Sequence, residues 1–421
     1  MPEKINADKL NAIQNPKSEI RNRTMFIAGR IEFLGKHTDY CGGRSLVCAI
    51  DRGFTVTFAP RNDNQINLKN LDSGEQISFE LDENLQTEQT HWIKYPMTVA
   101  QRVARNFKSR QLRGIDFEFK SDLPLAAGLS SSSAFMIAFF FALADANNLS
   151  EFDEYKRNIL NNLDLAEYLG TIENGQNFRE LVGDKGVGTF GGSQDHTAIL
   201  ACKKNHLSQF SFAPVQHEKD IFISSDYCFV IGVSGVTAEK TGSAKEKYNR
   251  VSLLVSEIVK NWNGAEKTLA KIIEKIGFEE LKAFINQTET SFPKQDLHKR
   301  VEQFYVESFS IIPQVSKCLE QNNYAKIGEL IDLSHQNAER FLHNQTAETI
   351  YLQRIAREIG AIAASAFGAG FGGSVYALVK TSEAEKFCDE WKDNYFRKFP
   401  NFAKNATFFV TKASESVLAN G

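Results

Sequence analysis

The chain has 421 residues, of which 42% are hydrophobic and 24% are charged, a balance typical of a folded globular protein rather than a disordered one. Its 49 Lys and Arg residues nearly cancel its 52 Asp and Glu residues, and a net charge of -3 gives no general attraction to nucleic acid or anionic membranes. No apolar run is long enough to span a bilayer, and the polar N-terminus does not read as a secretory signal. We therefore expect two domains and neither a nucleic-acid nor a membrane partner.

The predicted elements mix strands and helices along the chain. Strands are predicted at Thr24–Leu34, Ser45–Phe58, Ile66–Leu81 as a hairpin split at Asp72-Ser73-Gly74, Ile115–Phe119, Ile223–Val233, Ser374–Val379 and Ala406–Val410. Helices are predicted at Trp92–Phe107, Ser133–Ala146, Glu151–Leu169, in several stretches between Ala244 and Arg357, and at Glu383–Tyr395. Strands and helices do not alternate strictly, so the pattern favours an α+β fold over a doubly wound sheet.

The pattern of the six cysteines indicates neither a metal site nor a set of disulfides. None of the six sits in a CxxC pair, which makes a zinc site unexpected. A disulfide framework is also unexpected in a chain of this size without a signal peptide. Reduced thiols in a cytoplasmic protein are the prediction.

The first segment that carries chemistry is AGRIEFLGKHTDYCGG, at Ala28–Gly43. It lies at the end of a predicted strand and has five ionisable side chains between glycines: Arg30, Glu32, Lys36, His37 and Asp39. A polar turn would explain the glycines but not this cluster, because charges dense enough to interact usually serve a site.

The second segment is LPLAAGLSSSSA, at Leu123–Ala134, where a Gly/Ser loop opens a helix. Backbone N–H groups and the helix dipole favour an anion at such a place, and serine hydroxyls can donate to phosphate or bind magnesium. An ordinary N-cap needs only one serine, so four in a row favour a phosphate site. It is not a Walker A loop, because no Lys follows the last glycine.

The third segment is FGAGFGGSVYALV, at Phe367–Val379, a glycine-dense loop that runs into a strand. Such a loop lets the backbone approach a ligand closely, although a tight buried turn would look similar. Taken alone, the glycine content of this segment does not distinguish a ligand-binding loop from a buried turn.

In this order, the three segments resemble the motifs of the GHMP kinase superfamily, and the first resembles the galactokinase pattern G-R-x-N-x-I-G-E-H-x-D-Y-x-G-G. Shorter segments extend the resemblance to nearly the whole chain from Met25 onwards. They are HWIKY at His91–Tyr95, FGGSQDH at Phe190–His196 (similar to the family's G-x-M-D-Q segment), EKYNR at Glu246–Arg250, and LSHQNAERFL at Leu333–Leu342.

The resemblance implies a two-domain GHMP kinase fold with a ribosomal-S5-like N-terminal domain, placed at residues 20–215, and a ferredoxin-like C-terminal domain, placed at residues 216–421. It also implies ATP as co-substrate, Mg²⁺, and a small-molecule sugar as the partner. It implies nothing about protein partners.

The resemblance also implies roles for individual residues. Asp195 would accept or orient the proton of the sugar hydroxyl, and Arg30 would lie between Asp195 and the γ-phosphate, keeping Asp195 ionised. The implied sugar contacts are Lys36, His37, Asp39, Gly192 and Tyr248. The implied ATP contacts are Trp92, which would pack on adenine, with Gly128, Leu129, Ser130, Ser131, Ser132 and Gly370. The implied magnesium ligands are Ser131 and Glu173, the latter followed by an insertion of roughly ten residues before Asp195.

Two departures fall in the first motif, where Glu32 stands for the family's Asn and Lys36 for its Glu. Lys36 could pair with a sugar carboxylate and favour galacturonate. Alternatively it folds back onto Glu32 and leaves a neutral pocket that accepts galactose. The favoured function is a galactokinase forming α-galactose 1-phosphate. The alternatives are a related sugar 1-kinase for galacturonate, an N-acetylhexosamine or a pentose, and a catalytically silent ATP- and sugar-binding regulator.

Overall fold

The computed structural model describes residues 22–86, 92–237 and 242–418. The strands are β1 Arg23–Leu34, β2 Arg44–Pro60, β3 Gln65–Asn70, β4 Gln76–Glu80, β5 Ile115–Ser121, β6 His206–Ser211, β7 Gln216–Phe222, β8 Tyr227–Val233, β9 Ala363–Ala366, β10 Ser374–Lys380, β11 Thr407–Thr411 and β12 Ala413–Ser414. The helices are α1 Lys94–Asn106, α2 Ser131–Asn147, α3 Asp153–Asn158, α4 Asn162–Asn174, α5 Gln194–Ala201, α6 Gly242–Asn261, α7 Leu269–Ile276, α8 Phe278–Gln287, α9 Lys294–Tyr305, α10 Ile312–Glu320, α11 Tyr324–Asn337, α12 Ala347–Glu358 and α13 Ala384–Lys398.

The larger sheet has the strand order β4-β3-β5-β2-β6-β7, with β1 and β12 also paired to β2. Strands β3 and β5 run parallel, and the other pairs are antiparallel. Helix α2 packs on this sheet and is apolar nearly all round, because it is buried between the sheet and neighbouring helices. Its serine-rich N-terminus is thereby held in a fixed position.

The smaller sheet is antiparallel throughout, in the order β11-β8-β10-β9. Alternate residues of its strands face opposite sides, as the two-residue period of a strand requires. On one side Val230 packs with Trp391 of α13 and Leu352 of α12, and on the other Tyr376 stacks on Phe33 of β1 at 5.0 Å between ring centroids. This second contact fixes the two sheets against each other, and the α+β fold class is confirmed.

A third apolar cluster lies among helices α6 to α9 and includes Cys41 of the first motif. Arg300 on α9 is fully buried and donates to the carbonyl of His37. The helical region therefore packs directly on the turn that carries the ionisable cluster. In the part of the chain that is described, no helix is both long and apolar enough to cross a membrane.

Two predicted elements differ from the structure. The helix predicted at Glu151–Leu169 is two helices, α3 and α4, because Asn161 caps α4 by accepting from the backbone N–H groups of Leu163 and Asp164. The strand predicted from Ile223 begins only at Tyr227, since Ser224 and Asp226 hydrogen-bond to each other in a turn. The polar stretch Met1–Asn22 lacks periodicity, which predicts a loose lead-in, but all of it except Asn22 lies outside the described residues.

The division of the chain at residue 215/216 stays a prediction. Strand β7, which follows that point, pairs with β6 in the larger sheet, and the smaller sheet begins at Tyr227. Strand β12, near the end of the chain, also returns to the larger sheet. A boundary between Phe222 and Tyr227 would keep each sheet nearly whole.

Candidate active site

The three glycine-containing segments meet at one cleft of about 1130 Å³, although Gly29 and Gly372 are far apart in the chain. Most of the residues that the sequence singled out line it: Arg30, Glu32, His37, Asp39, Trp92, Gly128, Ser130, Ser131, Ser132, Glu173, Gly192, Asp195, Tyr248 and Gly370. The cleft is large enough for a nucleotide and a small polar ligand together.

Arg30 and Asp195 form an ion pair inside the cleft. Arg30 donates from Nε to Asp195 Oδ1 at 2.8 Å, and its NH2 nitrogen lies 2.7 Å from the same oxygen. Its NH1 nitrogen donates to the carbonyl of Gly128 at 2.6 Å. The Arg30 side chain is only 3% exposed, whereas that of Asp195 is 19% exposed. A fixed guanidinium therefore holds a carboxylate that remains open to a ligand.

Local structure explains this placement. The β1–β2 register shifts between Ala28 and Arg30, and such irregularities re-aim side chains near active sites. Asp195 lies in the first turn of α5. The sheet and the helix thus present opposite charges to each other across the cleft floor.

The serine-rich loop bends sharply before α2. Ser130 has φ +59° and Gly128 has φ +77°, and a Cβ on Gly128 would approach the carbonyl of Phe367 to 3.2 Å. The second and third segments therefore touch each other here. Ser130 Oγ is buried with no hydrogen-bond partner among the described residues, beside the free N–H groups of a 17-residue helix. This arrangement suits an anion with several acceptor oxygens.

Glu173 faces the serine loop from α4. Ser133 Oγ donates to Glu173 Oε2 at 3.0 Å, and His196 Nε2 lies 3.8 Å from the same oxygen. Within the described ranges, no group of three or more His, Cys, Asp or Glu could by itself hold a metal ion. Mg²⁺ does not need such a group, because it is usually bound through one or two carboxylates, substrate phosphates and water. The single carboxylate and the hydroxyls present here fit that requirement.

Asp39 lies at the end of the cleft near the start of α5. Its Oδ2 accepts from the backbone N–H of Gln194 at 3.2 Å, and burial raises its pKa above the ordinary value. A Cβ on Gly192 would stand 2.5 Å from Asp39 Oδ2, so a glycine is needed for this approach. Asp39 therefore contacts the backbone of Gln194, and the next residue along the chain is Asp195.

His37 and Tyr248 form the neighbouring wall. His37 Nε2 lies 3.2 Å from the carbonyl of Ala369, which can only accept, so that nitrogen carries the proton and Nδ1 accepts from Tyr40 Oη at 3.0 Å. The rings of His37 and Tyr248 are 5.4 Å apart between centroids. These contacts bring the first motif, helix α6 and the third glycine segment together.

Trp92 also lines the cleft. Its Nε1 donates to Glu75 Oε2 at 2.8 Å, and its ring meets Phe119 and Phe135 edge-on at 5.2 Å and 5.9 Å. The indole is thus half-buried, fixed by a hydrogen bond, and in contact with the cleft. His91, from the same sequence segment, lies outside the described residues.

Two predicted site residues do not line the cleft. Leu129 is buried, and its carbonyl accepts from the N–H of Arg30 at 3.2 Å. Lys36 is 1% exposed, and its Nζ donates to Ser334 Oγ of α11 at 3.1 Å. The Lys36 side chain is not part of the cleft lining. Among the described residues, no carboxylate lies within ion-pair distance of Lys36 Nζ, so this side chain does not pair directly with Glu32.

Three residues that organise this floor are not marked by the sequence patterns. Gln194 hydrogen-bonds to Glu32, Ser45 and Asp39, and Glu307 accepts from the backbone N–H of Gly35 at 2.9 Å. Ser334, which contacts Lys36, also donates to Glu307 at 3.0 Å. Gln194 could have been predicted from the sequence, because it precedes Asp195 in the FGGSQDH segment. No motif in the sequence around Glu307 indicates a role for that residue.

Comparison with known proteins agrees with this architecture. The model for the GHMP kinase N-terminal domain matches residues 94–177, that for the GHMP kinase C-terminal domain matches residues 315–397, and the galactokinase galactose-binding signature matches residues 21–60. The galactokinase of Pyrococcus furiosus is 27% identical over 92% of this chain and 97% of its own. That of Clostridium beijerinckii is 26% identical over 93% and 92%.

Two solved structures share the fold. Lactococcus lactis galactokinase, solved with galactose, covers 94% of each chain with a TM-score of 0.75 and 22% identity. Methanococcus jannaschii mevalonate kinase covers 93% of this chain and 98% of its own, with a TM-score of 0.58 and 14% identity. Fold and cleft together define a small-molecule kinase. The chain belongs to the galactokinase family within the GHMP kinases.

Proposed function

We propose that this protein transfers the γ-phosphoryl group of ATP to the anomeric hydroxyl of galactose, giving α-galactose 1-phosphate and ADP. The observation that carries the proposal is the Arg30–Asp195 pair, which lies in the cleft between the serine-rich loop and Asp39. The galactose-binding signature over residues 21–60 and the many galactokinases among the relatives favour galactose over other sugars.

In this mechanism the anomeric hydroxyl attacks the γ-phosphorus while the bond from that phosphorus to the β-phosphate oxygen breaks. Asp195 accepts or orients the hydroxyl proton from its exposed edge. Arg30 holds Asp195 in place through their ion pair and offsets negative charge on the transferring group. Its third contact, to the Gly128 carbonyl, ties this guanidinium to the phosphate loop.

The remaining cleft residues bind and orient. The N-terminus of α2, with Ser130, Ser131 and Ser132, holds the phosphates, and Gly370 closes over them from the third segment. Trp92 packs on the base. Asp39, His37 and Tyr248 hydrogen-bond sugar hydroxyls, and Gly192 leaves room for Asp39.

Magnesium would be held by Glu173 and a hydroxyl of the serine loop, with the ATP phosphates as further ligands. When bound, it neutralises charge on the β- and γ-phosphates. Ser133 is the hydroxyl already hydrogen-bonded to Glu173, whereas Ser131 lines the cleft, and we propose that Ser131 is the ligand.

The related sugars are less well supported. A galacturonate kinase would need a cation in the sugar site, but the Lys36 side chain lies outside the cleft. A silent regulator would not require the Arg30–Asp195 pair. We further propose a role in galactose metabolism in the cytoplasm, in keeping with six buried cysteines that are all free thiols. ADP release with galactose as acceptor tests the function.

A further inference from the structure

The floor of the cleft includes a buried polar unit built from Glu32 and Gln194. Glu32 is 3% exposed and Gln194 is 4% exposed. Gln194 Nε2 donates to Glu32 Oε2 at 2.7 Å, while Glu32 Oε1 is buried without a hydrogen-bond partner among the described residues. Glu32 is two residues after Arg30 on β1 and therefore faces the same side of the strand.

Gln194 connects this unit to both cleft carboxylates. Its backbone N–H donates to Asp39 Oδ2 at 3.2 Å, and the next residue along the chain is Asp195. Its side-chain Oε1 accepts from Ser45 Oγ on β2 at 2.5 Å. The two ends of one amide thus fix the first turn of α5 against β1 and β2.

The unit is sensitive to loss of either member. Removing one partner of a buried hydrogen bond leaves the other buried and unsatisfied, which destabilises the folded state. Replacing both partners by apolar groups destabilises it much less. Both residues also differ from the patterns that the chain resembles, which have Asn at the position of Glu32 and Met at the position of Gln194. The contact between them gives a physical reason for finding both changes in one chain.

We propose that Glu32 is a positioning residue for phosphoryl transfer, acting through Gln194 on the placement of Asp39 and Asp195. The inference rests on the proposed function and deepens it. Glu32 has no need to touch the sugar, because its effect is transmitted through the hydrogen bond to Gln194 and the first turn of α5.

Burial raises the pKa of Glu32 to about 7, against the opposing attraction of Lys36 and Arg30. The other titratable groups that face this carboxyl or interact with it electrostatically are Asp195 on α5 and Tyr376 on β10. An ionised carboxylate accepts a stronger hydrogen bond than a neutral carboxyl. The hydrogen bond from Gln194 to Glu32 should therefore become stronger as pH increases through about 7, and kcat should rise with it.

The first test compares the pH dependence of kcat for the wild type, Glu32→Gln and Glu118→Gln, with saturating galactose and MgATP. Glu118 is a half-exposed glutamate on β5 that pairs with Lys69 outside the cleft and serves as control. The Glu32→Gln variant keeps an acceptor for Gln194 but cannot ionise. We expect its profile to be flat where the wild type and the Glu118→Gln control rise. A rise near pH 7 that persists in Glu32→Gln overturns the proposal.

The second test is a double-mutant cycle between Glu32→Ala and Gln194→Met. Each single change should lower kcat about tenfold with the KM for ATP unchanged, and the double variant should be no worse than either single one. Glu32→Gln should recover most of the activity lost in Glu32→Ala. Strictly additive losses, or a wild-type kcat in Gln194→Met, would contradict the proposal. Absence of wild-type activity with galactose would instead contradict the proposed function, which keeps the two failures distinct.

Discussion

Arg30 and Asp195 are 165 residues apart in the chain, yet two nitrogens of the Arg30 guanidinium contact one oxygen of Asp195. The third nitrogen contacts Gly128 in the phosphate loop. One side chain thereby joins the strand of the first segment, the loop of the second and the helix that carries the proposed proton acceptor. The proposed phosphoryl transfer depends on this junction.

Replacing Asp195 by Asn tests the proposed proton acceptor. The amide keeps the size and one acceptor oxygen for Arg30, so the fold and ATP binding should persist. Turnover should fall by about three orders of magnitude, because the group that takes or orients the proton is lost. Steady-state kinetics and ATP titration measure the two effects separately. Asp63→Asn is a matched control, since Asp63 also pairs with an arginine but lies outside the cleft. Near-normal turnover in Asp195→Asn would remove Asp195 from the mechanism.

Replacing Trp92 by Ala tests the base-binding end of the cleft. The KM for ATP should rise more than the KM for galactose, because the ring that packs on the base is removed. ATP should also change the tryptophan fluorescence of the wild type but much less that of the variant. Trp262→Ala is the control, because Trp262 makes a similar indole-to-glutamate hydrogen bond, to Glu266 at 2.8 Å, away from the cleft. If Trp92→Ala leaves the KM for ATP unchanged, Trp92 is a core residue only.

Sequence patterns predicted much of this site but not all of it. Strand β1 and helix α2 follow from alternation and from a long apolar run, and the glycine and serine segments marked the cleft. Strand β9 was missed because its sequence, Ala-Ala-Ser-Ala, has no alternation and owes its form to pairing with β10. The direction of Lys36 could not be predicted either, since only the fold brings Ser334 beside it.

Lys36→Met tests whether this cation sets sugar choice. The structure places Lys36 Nζ against Ser334 rather than in the cleft, so galactose should remain preferred over galacturonate in both proteins. The ratio of kcat/KM values for the two sugars is the measurement. A wild-type preference for galacturonate that Lys36→Met abolishes would restore the carboxylate-binding interpretation.

Acid should destabilise the fold through His335. Burial lowers the pKa of His335 to about 3, and its Nδ1 accepts from the N–H of Ala366 at 3.2 Å. The unfolded chain binds this proton near pH 6.5, so the folded state loses stability as pH falls below that value. Between pH 7 and 5 the loss is about 2 kcal/mol from this residue. His335→Gln keeps an acceptor but does not titrate, so its free energy of unfolding should fall less over that interval. Equal losses in both proteins would contradict this assignment.

The most direct test of the proposed function is a measurement of ADP release by the wild-type protein with MgATP and a panel of acceptors. The panel is galactose, glucose, N-acetylgalactosamine, galacturonate and arabinose, with the product from the best acceptor identified by phosphorus NMR. We expect the highest kcat/KM with galactose and a phosphate on its anomeric oxygen. A higher kcat/KM with another acceptor, phosphate on another oxygen, or no sugar-dependent ADP release would contradict it.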